Sequence, residues 1–140
     1  MKLLHLLTEE IDKQLLLNYL YQMDYNKEDA LEELKSLLKY IKSLPPFLTL
    51  YRIVRVDDES EIDKDSLGSH YSTNKKDLID NNTYADGYGD KRFLIKVKAQ
   101  RELVDINQTL SNNILYPNEN EITLKKKGKG VKILKITELQ

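Results

Sequence analysis

Apolar residues recur every three to four positions up to Pro45 and about every second position afterwards, so the chain reads as a helical front and a strand-rich back. Ile11, Leu15 and Tyr19 repeat at four-residue spacing and predict a helix starting near Thr8 and running through Leu20. Asn26 predicts a second helix start. Its side chain can accept from the free amides of the first turn, where Asp29 adds a favourable charge, and Leu31, Leu34, Leu37, Leu38 and Ile41 form the apolar stripe. Pro45-Pro46 stops that helix. Beyond it, Phe47 to Val56, Arg92 to Val97, Ile122 to Leu124 and Val131 to Ile136 are rich in branched and aromatic residues and predict four strands. Lys125 to Gly130, between the last two, reads as a solvated hairpin loop, and Lys75 to Ile79 as a short helix followed by a flexible loop to Asp90. With no internal repeat and no linker, the expectation is one domain over 1–140, helical over 1–46 and strand-rich over 47–140, of α+β class.

Composition narrows the chemistry. Lys+Arg number 22 and Asp+Glu 23, a formal net charge of -1, so no whole-molecule field draws the protein to nucleic acid or an anionic membrane. The absence of cysteine excludes disulfides, thiolate metal sites and a cysteine nucleophile, and is compatible with a cytoplasmic location. His5 and His70 are the only histidines, and the Asp63-Lys64-Asp65 run lacks ligands where a calcium loop needs them, so no metal is expected. The start, Met1 to Leu7, resembles a signal peptide but is broken by His5 and followed at once by acidic residues, which argues against export by that route. No stretch approaches the roughly 20 apolar residues of a membrane span. From Glu121 onward six lysines face two glutamates, a local excess that could touch nucleic acid or serve only as a solvated tail.

Three short pieces carry candidate chemistry. In the strand Phe47 to Val56, Arg52 sits among aliphatic neighbours, where a permanently charged guanidinium must meet an anion or carbonyl groups. That is satisfied equally by a structural ion pair or by a bound phosphate. Glu119 and Glu121, entering the strand at Ile122, project to one side about 7 Å apart. Such a pair is either solvated at a strand mouth or a pocket in which one carboxylate stabilises an oxocarbenium-like cation while the other prepares an acceptor. Between them lies Tyr71-Ser72-Thr73-Asn74.

In this order, Leu50-Tyr51-Arg52, Tyr71-Ser72-Thr73 and Glu119-Asn120-Glu121 resemble the Arg, Ser-Thr-Ser and Glu-x-Glu signature of the arginine-type mono-ADP-ribosyltransferases, a family of bacterial toxins, phage enzymes and vertebrate ectoenzymes. The resemblance spans about Leu48 to Ile136 and implies a helical part followed by a split β-sandwich core that binds NAD as substrate. It implies that Arg52 binds a phosphate or ribose, that Ser72 and Thr73 support the cleft, and that Glu121 is catalytic. Glu119 matches the position that selects an arginine acceptor, so the implied partner is a host protein, and Tyr116 matches the aromatic of the acceptor-recognition turn. His70, Tyr84, Tyr88 and Arg92 are candidate dinucleotide contacts by location. Asn74 departs from the pattern, standing where its last serine belongs. The alternatives are an NAD glycohydrolase and a noncatalytic, virus- or bacterium-encoded interaction protein.

Overall fold

A computed structural model of the chain describes residues 11–81, 86–116 and 120–139. Among them the order is α1 (Lys13–Gln22), α2 (Lys27–Lys42), β1 (Phe47–Val56), β2 (His70–Ser72), α3 (Lys75–Asn81), β3 (Asp86–Gly87), β4 (Lys91–Gln100), α4 (Ile106–Leu115), β5 (Glu121–Thr123) and β6 (Lys132–Leu139). The α+β class and the helical front stand as expected. No helix among the described residues is long and apolar enough to cross a membrane.

Helix α1 starts at Lys13 because the Asp12 carboxylate accepts the Leu15 N–H at 3.0 Å; Thr8, the expected start, lies outside the described residues. The buried side of α1 is shifted from the one expected: Leu16 and Leu20 go inward, Ile11 and Tyr19 pack at the margin of the core, and Leu15 is exposed. Helix α2 keeps its expected cap and most of its stripe: Asn26 accepts the Asp29 N–H at 2.8 Å, and Leu34, Leu37 and Ile41 are buried, but Leu31 is exposed and Ala30 takes the inward place. Its lysines at the last turn face the partial negative charge of the helix end.

The strands form one hydrogen-bonded sheet in the order β5-β2-β1-β4-β6, antiparallel throughout, with β3 added parallel to β1 at Val54 and Arg55. The core is thus a continuous sheet rather than two. Its β5–β2 wing joins β1 through the pair Tyr51↔Ser72. Helices α1 and α2 cover the inner side, where Leu48, Leu50, Ile95, Val97 and Ala99 meet Leu16, Leu20, Leu34 and Ile41. On the outer side α3 brings Leu78 against Ile53 and Leu94. Each large aliphatic side chain fully removed from water adds roughly 1.5–3 kcal/mol, which makes the inner layer the main source of stability.

Two expectations for the back half are overturned. Strands β5 and β6 do not form a hairpin; they occupy opposite edges of the sheet, and residues 124–131 cross between them. The reason lies in what each strand must cover, since Ile133 and Ile136 shield Val97 and Ile95 of β4 while Ile122 is buried beside Tyr71. Nor is the Lys-rich crossing a plain solvated turn. Lys126, Lys127 and Gly128 take successive left-handed conformations (φ 52°, 54° and 75°), a cost of about 1 kcal/mol for each lysine. Lys127 C=O accepts the Gly68 N–H at 3.0 Å, and Gly128 is buried.

Helix α4 was not expected at all. Asp105 caps it by accepting the Gln108 N–H at 3.1 Å, and Ile106, Leu110 and Ile114 carry its buried side. The helix runs along the free edge of β5 and completes it with side chains. Thr109 Oγ1 accepts the Thr123 N–H at 3.0 Å and donates to Thr123 C=O at 3.3 Å, while Asn113 Nδ2 donates to Glu121 C=O at 3.0 Å. Thr123 C=O also accepts the Asp105 N–H at 2.8 Å, while the Thr123 N–H and Glu121 C=O find their partners in these side chains rather than in a seventh strand.

Replacing Thr109 by Val keeps the shape and removes both bonds. T109V is expected to lower the unfolding free energy by about 1–3 kcal/mol, read as a shift of the urea midpoint at unchanged slope.

Candidate functional site

Register sets which residues can meet. Directly paired residues on neighbouring strands point to the same side of a sheet. The pairs Lys135↔Lys96, Lys96↔Tyr51, Tyr51↔Ser72 and Ser72↔Glu121 therefore make one row across the outer side. Arg52 belongs to the next row and points inward, as does Tyr71.

Glu121 ends the outer row, and its side chain keeps 13% of its exposure. Three groups converge on Oε2: the Thr123 hydroxyl donates at 3.0 Å, the Asn112 side-chain amide donates from α4, and His70 Nδ1 lies 3.1 Å away, donating in the tautomer protonated there. Asn112 Nδ2 also reaches Thr123 Oγ1 at 3.0 Å. The carboxylate is fixed through one oxygen. Among the described residues no hydrogen bond falls on Oε1. An anionic oxygen so oriented can accept from a ligand hydroxyl or stabilise a developing cation.

Ser72 stands beside Glu121 in the ladder and is buried. Its Oγ accepts the Asn74 N–H at 3.0 Å and donates to Asn74 C=O at 3.1 Å, tightening the turn into α3. Asn74 then accepts the Asp77 N–H at 3.0 Å through Oδ1. Asn74 is thus the cap of α3. Thr73 is exposed; its N–H donates to Asn120 C=O at 3.0 Å, and Asn120 Nδ2 reaches Asp77 Oδ2 at 2.8 Å. These bonds tie the residue before Glu121 to α3.

Arg52 is 7% exposed and lies under a cover of its own. Nη1 donates to His70 C=O at 2.7 Å, and the guanidinium carbon sits 5.8 Å from the centre of the Tyr71 ring. Gly68, at φ +120°, packs directly on the guanidinium: a Cβ there would lie 2.3 Å from Nη2. Gly128 closes the stack, since a Cβ on it would lie 2.4 Å from the Tyr71 hydroxyl. Arg52 also borders a cleft of about 180 Å3 along β1 with Arg55, Glu61 and Asp63, whose lining does not include Glu121. Burial pushes the Tyr71 hydroxyl up to about 12, with the Arg52 charge pulling the other way. That hydroxyl has no hydrogen-bond partner among the described residues.

The other candidates scatter. Arg92 pairs with Arg55 on the outer side, so it and Arg52 project from opposite sides of the sheet and cannot grip one phosphate group together. Tyr88 is fully exposed beyond β3, and Tyr116 is half exposed at the end of α4. Tyr84 and Glu119 lie outside the described residues. Sequence reading missed Asn112, Asn113, Thr109 and Thr123, the groups that hold β5 and its glutamate. The signal was present: Thr109, Asn112 and Asn113 fall at helical spacing next to the apolar Ile106, Leu110 and Ile114, a polar edge on an otherwise buried helix.

Two outcomes follow from the Arg52–Tyr71 stack. G68A is expected to destabilise by about 2 kcal/mol or more, because the new methyl meets the guanidinium and the backbone is left-handed. Tyr71 binds its proton more tightly when folded than its ordinary value of 10.0. Stability is therefore complete below about pH 10 and falls by about 2 kcal/mol as pH rises towards about 12. Y71F, which removes a buried hydroxyl without a partner, should be neutral or slightly stabilising and should flatten that decline relative to the parent chain in urea titrations across the range.

Comparison of the chain with protein-family models, with curated proteins and with solved structures gives no match.

Proposed function

We propose that the protein is a mono-ADP-ribosyltransferase that moves ADP-ribose from NAD to a protein acceptor, with Glu121 as its catalytic residue. The observation that supports this most is the register Ser72↔Glu121, which sets the serine of the aromatic-Ser-Thr piece against the second glutamate of Glu-x-Glu on adjacent strands. Two pieces separated by nearly fifty residues of sequence meet in the order that the family resemblance implies. The strand of Arg52 follows immediately through Tyr51↔Ser72.

In this reading the chemistry needs little from the protein beyond charge and position. The bond from ribose C1′ to the pyridinium nitrogen breaks, its electron pair leaves with neutral nicotinamide, and the cationic sugar is met by an acceptor nitrogen that loses a proton on bond formation. Glu121 holds the ribose 2′-hydroxyl through Oε1 and stabilises the positive charge, while His70, Asn112 and Thr123 keep the carboxylate from rotating away. Glu119 retains its role of preparing an arginine acceptor. Arg52 is reassigned from phosphate contact to scaffold, since it packs inward beneath Tyr71 and Gly68. That inward placement is also the observation that favours a second reading, a noncatalytic interaction protein in which the three pieces serve the fold alone.

Nicotinamide release from NAD, measured with and without a cell lysate as acceptor source, separates the two. Glu121→Gln is expected to reduce release at least about 100-fold while shifting the melting temperature little. Unchanged release in that variant overturns the catalytic role, and absence of release from the parent protein under both conditions favours the interaction protein. Release without a lysate and without transfer to any protein identifies a glycohydrolase.

A further inference from the structure

Charge on the outer side of the sheet is sorted by sign. On β1, β4 and β6 the outward positions include Arg55, Arg92, Lys96, Lys98, Lys132 and Lys135 and, among the described residues, no acid, in a chain whose charges as a whole nearly cancel. Lys96 is paired directly with Lys135, and Lys98 with Lys132. Like charges directly opposite each other weaken a sheet, so the fold gains nothing from this arrangement, and a solvated side would do better with mixed signs. Helix α3 covers the end around Ile53, Leu94 and Leu139, and Tyr51 sits half-buried at the margin of that cover. At the other end Phe47, Lys98, Lys132 and Lys135 are exposed.

Rings alternate with these cations. Phe47 keeps 52% of its exposure, with the Lys98 ammonium 4.6 Å from its centre. Tyr51 borders an open cleft of about 520 Å3 lined from α3 by Lys75 and Lys76 and by one acid, Asp80. Lysines that meet a phosphate chain, interleaved with rings on which unstacked bases lie, make a platform for single strands; a duplex hides its base faces and can use only the charges. An acidic protein surface would satisfy the lysines and leave Phe47 without a purpose.

We infer that the open half of this outer side, from Phe47 and Lys98 to Tyr51 and Lys96, binds single-stranded nucleic acid. The platform leads towards the candidate site, because Lys135, Lys96, Tyr51, Ser72 and Glu121 form one row, with Lys96 about 14 Å from Glu121 by three inter-strand steps. Binding there needs neither NAD nor turnover, so it stands or falls apart from the transferase reading.

The test is fluorescence anisotropy of labelled oligouridylate, oligothymidylate and a duplex of equal length with the full chain, over a salt series. Both single strands should bind, and four lysine contacts predict an affinity that falls with salt at a log–log slope of about 3. The double variant K96Q/K135Q should reduce that slope by about 1.4, roughly half, and F47A should weaken binding about tenfold. Neither should lower the melting temperature, since the lysine pair repels and Phe47 is half exposed. The ratio of the two single-strand affinities tells whether RNA or DNA is the preferred source. Three results overturn the inference: no binding at about 0.1 mM protein in ~50 mM salt, duplex bound as tightly as single strands with F47A indifferent, or displacement by polyglutamate as effective as by unlabelled oligonucleotide, which would reassign the surface to an acidic protein.

Discussion

The register between β1 and β4 is the constraint on which the rest depends. Ten consecutive pairs, from Phe47↔Gln100 to Val56↔Lys91, lock the two long strands together, and because side chains alternate, that ladder decides the fate of every residue in the centre. A slip of one residue would drive Tyr51 and Lys96 into the apolar core and leave Leu50 and Val97 in water. The core forbids this, since Leu50 and Val97 are both fully buried. Everything attached to β1 inherits its choice: Ser72 and Glu121 point outward because they follow Tyr51, and Arg52 points inward because Tyr51 does not.

That choice creates an expense at Arg52. A buried guanidinium is tolerated only if carbonyl groups and a ring face replace water, and the chain supplies them locally through His70 C=O and Tyr71. Glycine is then required at 68, where nothing larger fits over the cation, and the left-handed residues 126–128 are drawn in to close the stack. Strain in one loop is the counterpart of charge burial in the strand.

Much of this was legible in the residues. Asn26 announced α2 and Phe47–Val56 announced β1, because a cap and a long branched run each leave a local mark. The proximity of Ser72 to Glu121 was legible only through the family resemblance, since pairing across nearly fifty residues has no local signature. The direction of Arg52 was not legible: alternation gives two sides, and only the ladder with β4 and the packing of α2 say which is inner. Helix α4 escaped notice because its cap, Asp105, opens a segment rich in Asn, Gln, Ser and Thr, types that read as loop when their partners on β5 are out of sight.

The crossing from β5 to β6 joins the two edges of one sheet, four inter-strand steps or about 19 Å apart. Eight residues, 124–131, make that journey, and three of them are wound into the left-handed turn that seats on Gly68 and Tyr71. From Thr123 to Lys132 there are nine Cα–Cα steps, which at ~3.4 Å each can span about 31 Å, so the segment has length to spare and winds it into the turn. That spare length is what lets the turn seat on Gly68 and Tyr71 while the two edges stay where the sheet puts them. Shortening this segment should therefore be felt first at the stack over Arg52, by drawing the turn off Gly68, and only later in the pairing of β6 with β4.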